Sequence, residues 1–86
     1  MDEFIGVIKM FCGHRSPQNF YLCEGQLLST SEFPALFAVI GNSFGGDGIH
    51  NFALPDLRST VNGIKFWESG KPKYIICSNG IYPSYD

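Results

Sequence analysis

The chain has 86 residues, of which 44% are hydrophobic and 16% charged, and a formal net charge of −2 at pH 7. That length admits one domain, 1–86, and not two, and the composition excludes a disordered tail, which needs low hydrophobicity and high charge. Nucleic-acid binding is excluded too, because phosphate contact needs clustered cations and Lys65, Lys71 and Lys73 form the only loose basic group.

A domain this small buries a modest share of its surface and often recruits a disulfide, a metal or a second subunit. The scarcity of charge points to a surface covered by a partner. No apolar run approaches about 20 residues, so no membrane insertion is expected. The start, Met1-Asp2-Glu3, is acidic where a secretory signal is basic, and the apolar stretch from Phe4 to Phe11 is short and carries Lys9; no signal peptide is expected. Cys12, Cys23 and Cys77 are an odd count, which rules out a fully paired intrachain set. Reduced, buried and inert thiols are expected, with one disulfide or a metal cluster as the alternative.

Phe4 to Phe11 reads as a strand, with Phe4, Ile8 and Met10 on one face by the period of two. Gly13 to Gln18 is a loop that Pro17 keeps irregular. Phe20-Tyr21-Leu22-Cys23 is a short apolar run, followed by a Glu24-Gly25-Gln26 turn and Leu27-Leu28. One short amphipathic helix is predicted over about 31–40. Ser31 is its N-cap, Glu32 suits the positive end of its dipole and Pro34 falls in the first turn, while Phe33, Leu36, Phe37 and Ile40 form a buried stripe and Gly41 ends it. The Gly45-Gly46-Asp47-Gly48 loop is too glycine-rich for a helix or a central strand, and Pro55 interrupts any ladder after Asn51 to Leu54. Asn62-Gly63 signals a type I′ hairpin between Thr60-Val61 and Ile64 to Trp67. Tyr74-Ile75-Ile76-Cys77 is the strongest buried strand, and Asn79-Gly80 turns again. The fold class is α+β, mostly antiparallel strands and turns.

No catalytic constellation emerges. Nothing in the spacing places His14 or His50 beside a particular cysteine, so no nucleophile and base are paired. Cys12 and His14 make half a metal site at most. The glycine loop lacks the Lys and Ser/Thr of a phosphate cradle and offers a calcium ion only Asp47, with Asn42 and Asn51 as weak extra oxygens. It therefore reads as a tight, fixed turn. Catalytic, cofactor and metal roles are expected to be absent. Asp56 and Arg58 are expected to pair with Asp47 or Glu24 and pin that loop. Aromatics make up 15% of the chain, and Trp67, Tyr74, Tyr82 and Tyr85 are the ones placed to anchor an interface or stack on a sugar; core packing serves Trp67 and Tyr74 equally well.

Several of these blocks occur together, in order, in one family. Ile8-Lys9-Met10-Phe11-Cys12-Gly13, then Cys23-Glu24-Gly25-Gln26-Leu27-Leu28, then Ala35 to Gly41 before Phe44-Gly45-Gly46-Asp47-Gly48, then Phe52-Ala53-Leu54-Pro55-Asp56-Leu57-Arg58, resemble the phage tail collar family, found in short tail fibres and microcystin-dependent proteins. The closing Tyr74 to Pro83 resembles the end of its longer members. Asn19-Phe20 stands where the family has Gly-Trp, Glu24 where it has Asp, and Ser59-Thr60 where it has Gly-Arg. The family's long glycine-rich middle segment is replaced by Asn62-Gly63 and about ten further residues.

The resemblance implies a fibre-associated structural protein, a homo-oligomer with a trimer favoured, in contact with other tail proteins. It implies a virion or tail-like particle assembled in the bacterial cytoplasm. Gly25, Gly45, Gly46, Asp47, Gly48, Pro55, Asp56, Leu57 and Arg58 are the motif positions to which it assigns structural roles. Losing the middle segment, which leads to the receptor-binding tip, removes the part tied to host binding. The alternative is a small host-attachment module that binds a cell-surface glycan through Trp67, Tyr82 or Tyr85.

Overall fold

A computed structural model of the chain describes residues 3–84; Tyr85, one of the expected binding aromatics, lies outside them. The elements in chain order are β1 (Ile8–Phe11), β2 (Phe20–Leu22), β3 (Leu27–Ser29), α1 (Pro34–Ile40), β4 (Asn51–Ala53), β5 (Ser59–Val61), β6 (Ile64–Phe66) and β7 (Lys73–Cys77). They form three antiparallel sheets, β1-β7-β2, β3-β4 and β5-β6. The expected α+β class with one short helix is what the chain adopts.

The strand nearest the C-terminus is central to the largest sheet. Of the run expected to be buried, Ile75, Ile76 and Cys77 are, as befits a strand covered on both faces, while Tyr74 is exposed. Ile76 pairs with Ile8 of β1 on one side and with Tyr21 of β2 on the other. Ile76 then joins Ile5, Cys23, Leu36, Phe52 and Leu54 in the core. α1 lies against this core through Leu36, with Phe33, Phe37 and Ile40 packed around it as the helical period requires. The rings of Phe37 and Phe52 sit 5.3 Å apart, and Tyr21 meets Phe33 edge-on at 5.6 Å.

Three expectations at element ends are corrected. The first strand starts at Ile8 and not Phe4, because the chain turns at Gly6 and Ile5, not Phe4, enters the core; Phe4 makes only an isolated bridge to Ile81. Ser31 is not the helix N-cap. Its N–H bonds to Ser29 Oγ at 3.2 Å in the preceding turn, and Phe33 is the cap residue with no side-chain cap bond. Pro34 explains the later start: it needs no N–H donor partner and supplies a helical φ at the first helical position. Glu32 therefore falls before the first turn, which contains no acidic residue.

Two turns match their chemistry closely. Asn62 (φ 52°) and Gly63 (φ 79°) both take the left-handed conformation that a type I′ hairpin demands, and they join β5 to β6. Asn19 is also left-handed at φ 72°, so at this position, where the resembling family has Gly, Asn meets the same backbone demand. The Asn19 carbonyl accepts the N–H of Ser78 at 2.8 Å and its hydroxyl at 3.1 Å, which anchors β2 to the end of β7.

Candidate functional site

The motif residues gather in two polar knots. The first is the glycine loop between α1 and β4. Asp47 Oδ1 accepts the backbone N–H groups of Ile49, His50 and Asn51 at 2.8, 2.8 and 3.0 Å, and Oδ2 lies 3.3 Å from His50 Nδ1. Asn51 Oδ1 accepts the Asp47 N–H at 2.9 Å in return. These backbone donors, Asn51 first, hold the Asp47 carboxyl well below the usual carboxylate range. Gly48 donates to the Asn51 carbonyl at 2.9 Å, and the Gly45 carbonyl accepts from Ala53 at 3.0 Å, tying the loop to β4. Gly46 (φ 89°) has no room for a side chain: a Cβ there would lie 2.6 Å from Phe52 Cα and 2.8 Å from the Asn51 carbonyl oxygen.

The second knot joins the turn after β2 to the approach to β5. Arg58 grips Asp56 with two parallel bonds, Nε to Oδ1 at 3.0 Å and Nη2 to Oδ2 at 2.9 Å, and Nη2 reaches the Glu24 carbonyl at 3.1 Å. The guanidinium holds the Asp56 carboxyl down at about 2. Glu24 and Asp56 also form an isolated antiparallel bridge, and Gly25 packs against the Asp56 side chain. Gln26 closes the turn by donating to the Leu22 carbonyl at 2.8 Å. Pro55, between the knots, is buried.

The expected clamp is thus corrected. Arg58 pairs with Asp56, its own near neighbour, and touches Glu24 only at its carbonyl, while Asp47 belongs to the other knot with its acceptors taken by backbone donors. The Glu24 carboxylate instead accepts the Trp67 indole N–H at 2.6 Å. That contact spans 43 residues of sequence, and no local pattern announces it.

The cysteines separate. Cys23 and Cys77 are buried as expected, and burial pushes the Cys23 thiol up to about 11, opposite to the shift that activates a nucleophile. Cys12 is exposed, against expectation, because it lies just past the end of edge strand β1. All three are free thiols. Cys12 and His14 line one groove of about 290 Å³ with Trp67, Glu68, Lys71 and Lys73. No group of three or more His, Cys, Asp or Glu converges on a metal-sized site among the described residues. Tyr74 lines a neighbouring groove with Leu57, Ser59, Trp67 and Glu68, whereas Tyr82, exposed near the C-terminus, lines neither.

Both knots spend their charged groups on the chain's own backbone and on one another, as in a structural module whose loops are set once by folding. The sequence model of the Phage Tail Collar Domain family matches residues 6–62, and the chain belongs to that family. It is accordingly a structural module of the phage tail fibre class. No curated protein matches the chain. The family match takes in both knots and stops before β6 and β7, so the central strand of the main sheet comes from outside it. No helix among the described residues is long and apolar enough to cross a membrane.

Proposed function

We propose that the chain is a single, non-enzymatic collar domain that serves the assembly of a phage tail or tail-like particle as a homo-oligomer, a trimer in the favoured reading, alongside other tail proteins. The observation that carries this reading is the use of the motif residues within the chain itself: Asp47 holds the backbone of its own loop, and Asp56 and Arg58 hold each other and the Glu24 carbonyl. The β5–β6 hairpin occupies the position of the long middle segment of fuller family members, which supports a role in the particle's body more than at a receptor-binding tip. Such a protein works in the virion after assembly in the bacterial cytoplasm. A second reading, attachment to a cell-surface glycan, is favoured by one observation, the placement of Trp67 between two open grooves that also carry Glu68 and Lys71.

Light scattering after gel filtration, at two concentrations tenfold apart, tests the first reading. A trimer mass unchanged by dilution is the expected result. A monomer at both concentrations overturns the assembly reading and makes glycan attachment through Trp67 the leading one.

A further inference from the structure

Trp67 is the chain's one tryptophan, and the protein holds it by its polar edge. Its indole N–H donates to the Glu24 carboxylate at 2.6 Å, so the ring's only donor is spent inside the chain. The ring is half-buried and lines two open grooves, one with Leu57 and Tyr74, the other with Cys12, His14 and Lys73. An indole fixed in this way offers the apolar part of its ring as a stacking surface.

The two grooves differ in charge. Both contain Glu68 and Lys71, which neutralise each other at 3.0 Å, and Glu68 also accepts from the Ser59 hydroxyl at 2.9 Å. The groove with Tyr74 has no other charged residue among those described. The groove with Cys12 adds Lys73 and His14 and no second acid. Among the described residues Lys73 has no carboxylate partner. A chain of net charge −2 thus keeps a free ammonium beside its only indole. Folding assembles this groove from separate parts of the sequence. Lys73 opens β7 and pairs with Phe11 at the end of β1. A Cβ at Gly13 would overlap the Phe11 ring, so the loop that carries His14 lies tight against that strand end. The Lys71 N–H donates to the Glu68 carbonyl at 3.3 Å and closes the turn between Trp67 and β7. Trp67, Lys71 and Lys73 all lie beyond the residues matched by the collar family, so the groove is a feature of this chain's C-terminal part.

We infer that this groove binds a sugar unit carrying a negative charge, with the sugar ring against Trp67 and the anionic group on the Lys73 ammonium beside His14. This rests on the glycan-attachment reading and names the class of glycan. A sugar presents apolar C–H faces to an aromatic ring, and Ser69 supplies a hydroxyl for its oxygens. An ammonium is a point charge without the planar fork by which Arg selects a partner, so carboxylate and phosphate both fit it. The volume, about 290 Å³, is at the lower end for ligand sites and suits a single sugar unit.

The single tryptophan makes the test direct, since its fluorescence reports on this site alone. The full chain is titrated with trigalacturonate, glucose 6-phosphate, their neutral counterparts galactotriose and glucose, and inorganic phosphate, with calorimetry alongside. Salt is kept at about 0.15 M, where long-range attraction is screened. At least one anionic sugar is expected to bind about tenfold or more tighter than its neutral counterpart, the contribution of one charge-assisted hydrogen bond. Whichever does so tells carboxylate from phosphate. Lys73→Gln, which keeps the stem and loses the charge, is expected to remove that advantage and leave neutral-sugar binding unchanged. Lys65→Gln, which makes the same change of net charge outside both grooves, is expected to keep it. Equal binding of neutral and anionic sugars overturns the anionic class and leaves the glycan reading standing. Inorganic phosphate binding as tightly as the anionic sugars overturns it too, because the site then recognises an anion and no sugar. An advantage that survives Lys73→Gln overturns this groove as its place. No binding of any sugar overturns both this inference and the glycan reading. Should Lys73→Gln fail to fold, His14→Ala, at an exposed position, is expected to weaken the anionic sugar alone.

Discussion

Gly46 sits where the chain passes within van der Waals distance of its own β4 backbone. The position demands both a left-handed φ and an empty Cβ site, and the two demands add. An L-residue in the left-handed region costs roughly 1–2 kcal/mol, and relieving the overlap with Phe52 Cα moves a residue of the core. Gly46→Ala is expected to lower stability by at least about 2 kcal/mol, or roughly 10 °C in melting temperature for a chain of this size. Thermal unfolding followed by circular dichroism measures this, and a change below a few degrees would show that the loop can shift without disturbing β4. Asp47 explains why the loop does not simply relax: its carboxylate holds three successive N–H groups in place. The need for glycine here was legible in the sequence, since several glycines flanking one Asp leave few other conformations. The destination of the Asp47 carboxylate was not, because every bond it makes is local and a charged side chain in a loop reads equally well as half of a distant ion pair.

At the level of elements, the second knot fastens the β2–β3 turn to the hairpin arm through polar side chains, Arg58 at one end and Trp67 at the other. Its strength depends on Asp56 being ionised. The Asp56 carboxyl titrates at about 2 in the folded chain against an ordinary value of 3.8. The ionised form is thus favoured by folding, and the stability it contributes is complete above about pH 4 and lost as pH falls through about 2. Melting temperature is expected to drop between these values in the wild type and to drop less in Asp56→Asn, which starts lower. Parallel acid profiles for the two proteins would remove Asp56 from this role. Which elements exist was largely readable: the Asn62-Gly63 hairpin, the stripe of Phe33, Leu36, Phe37 and Ile40, and the apolar run of β7 each carry a strong local signal. Their ends and fastenings were not. Ser31 has the chemistry of a cap and lost that place because Pro34 fixes where the helix can begin, and Glu24 meets Trp67 only because two turns happen to place them together.

For the whole molecule, the order of strands in the main sheet carries the consequence. β1 and β2 lie in the part matched by the collar family, yet they never touch as neighbours; β7 stands between them and supplies every ladder bond that either strand makes in that sheet. Ile76 is at once the pairing partner of Ile8 and Tyr21 and a member of the core. A chain cut after Asn62 keeps both knots' charged residues and the helix but loses this strand, the Trp67 partner of Glu24 and the Ser78 bonds to Asn19. A domain of 86 residues has little stability to spare, and removing the middle of its largest sheet exposes Leu36, Cys23 and Phe52 to water. The cut chain is therefore expected to show no cooperative thermal transition and no native-like strand signal by circular dichroism. A cooperative transition in it would mean that the family-matched segment folds without β7, and that the C-terminal strand is an addition to the domain and not its keystone.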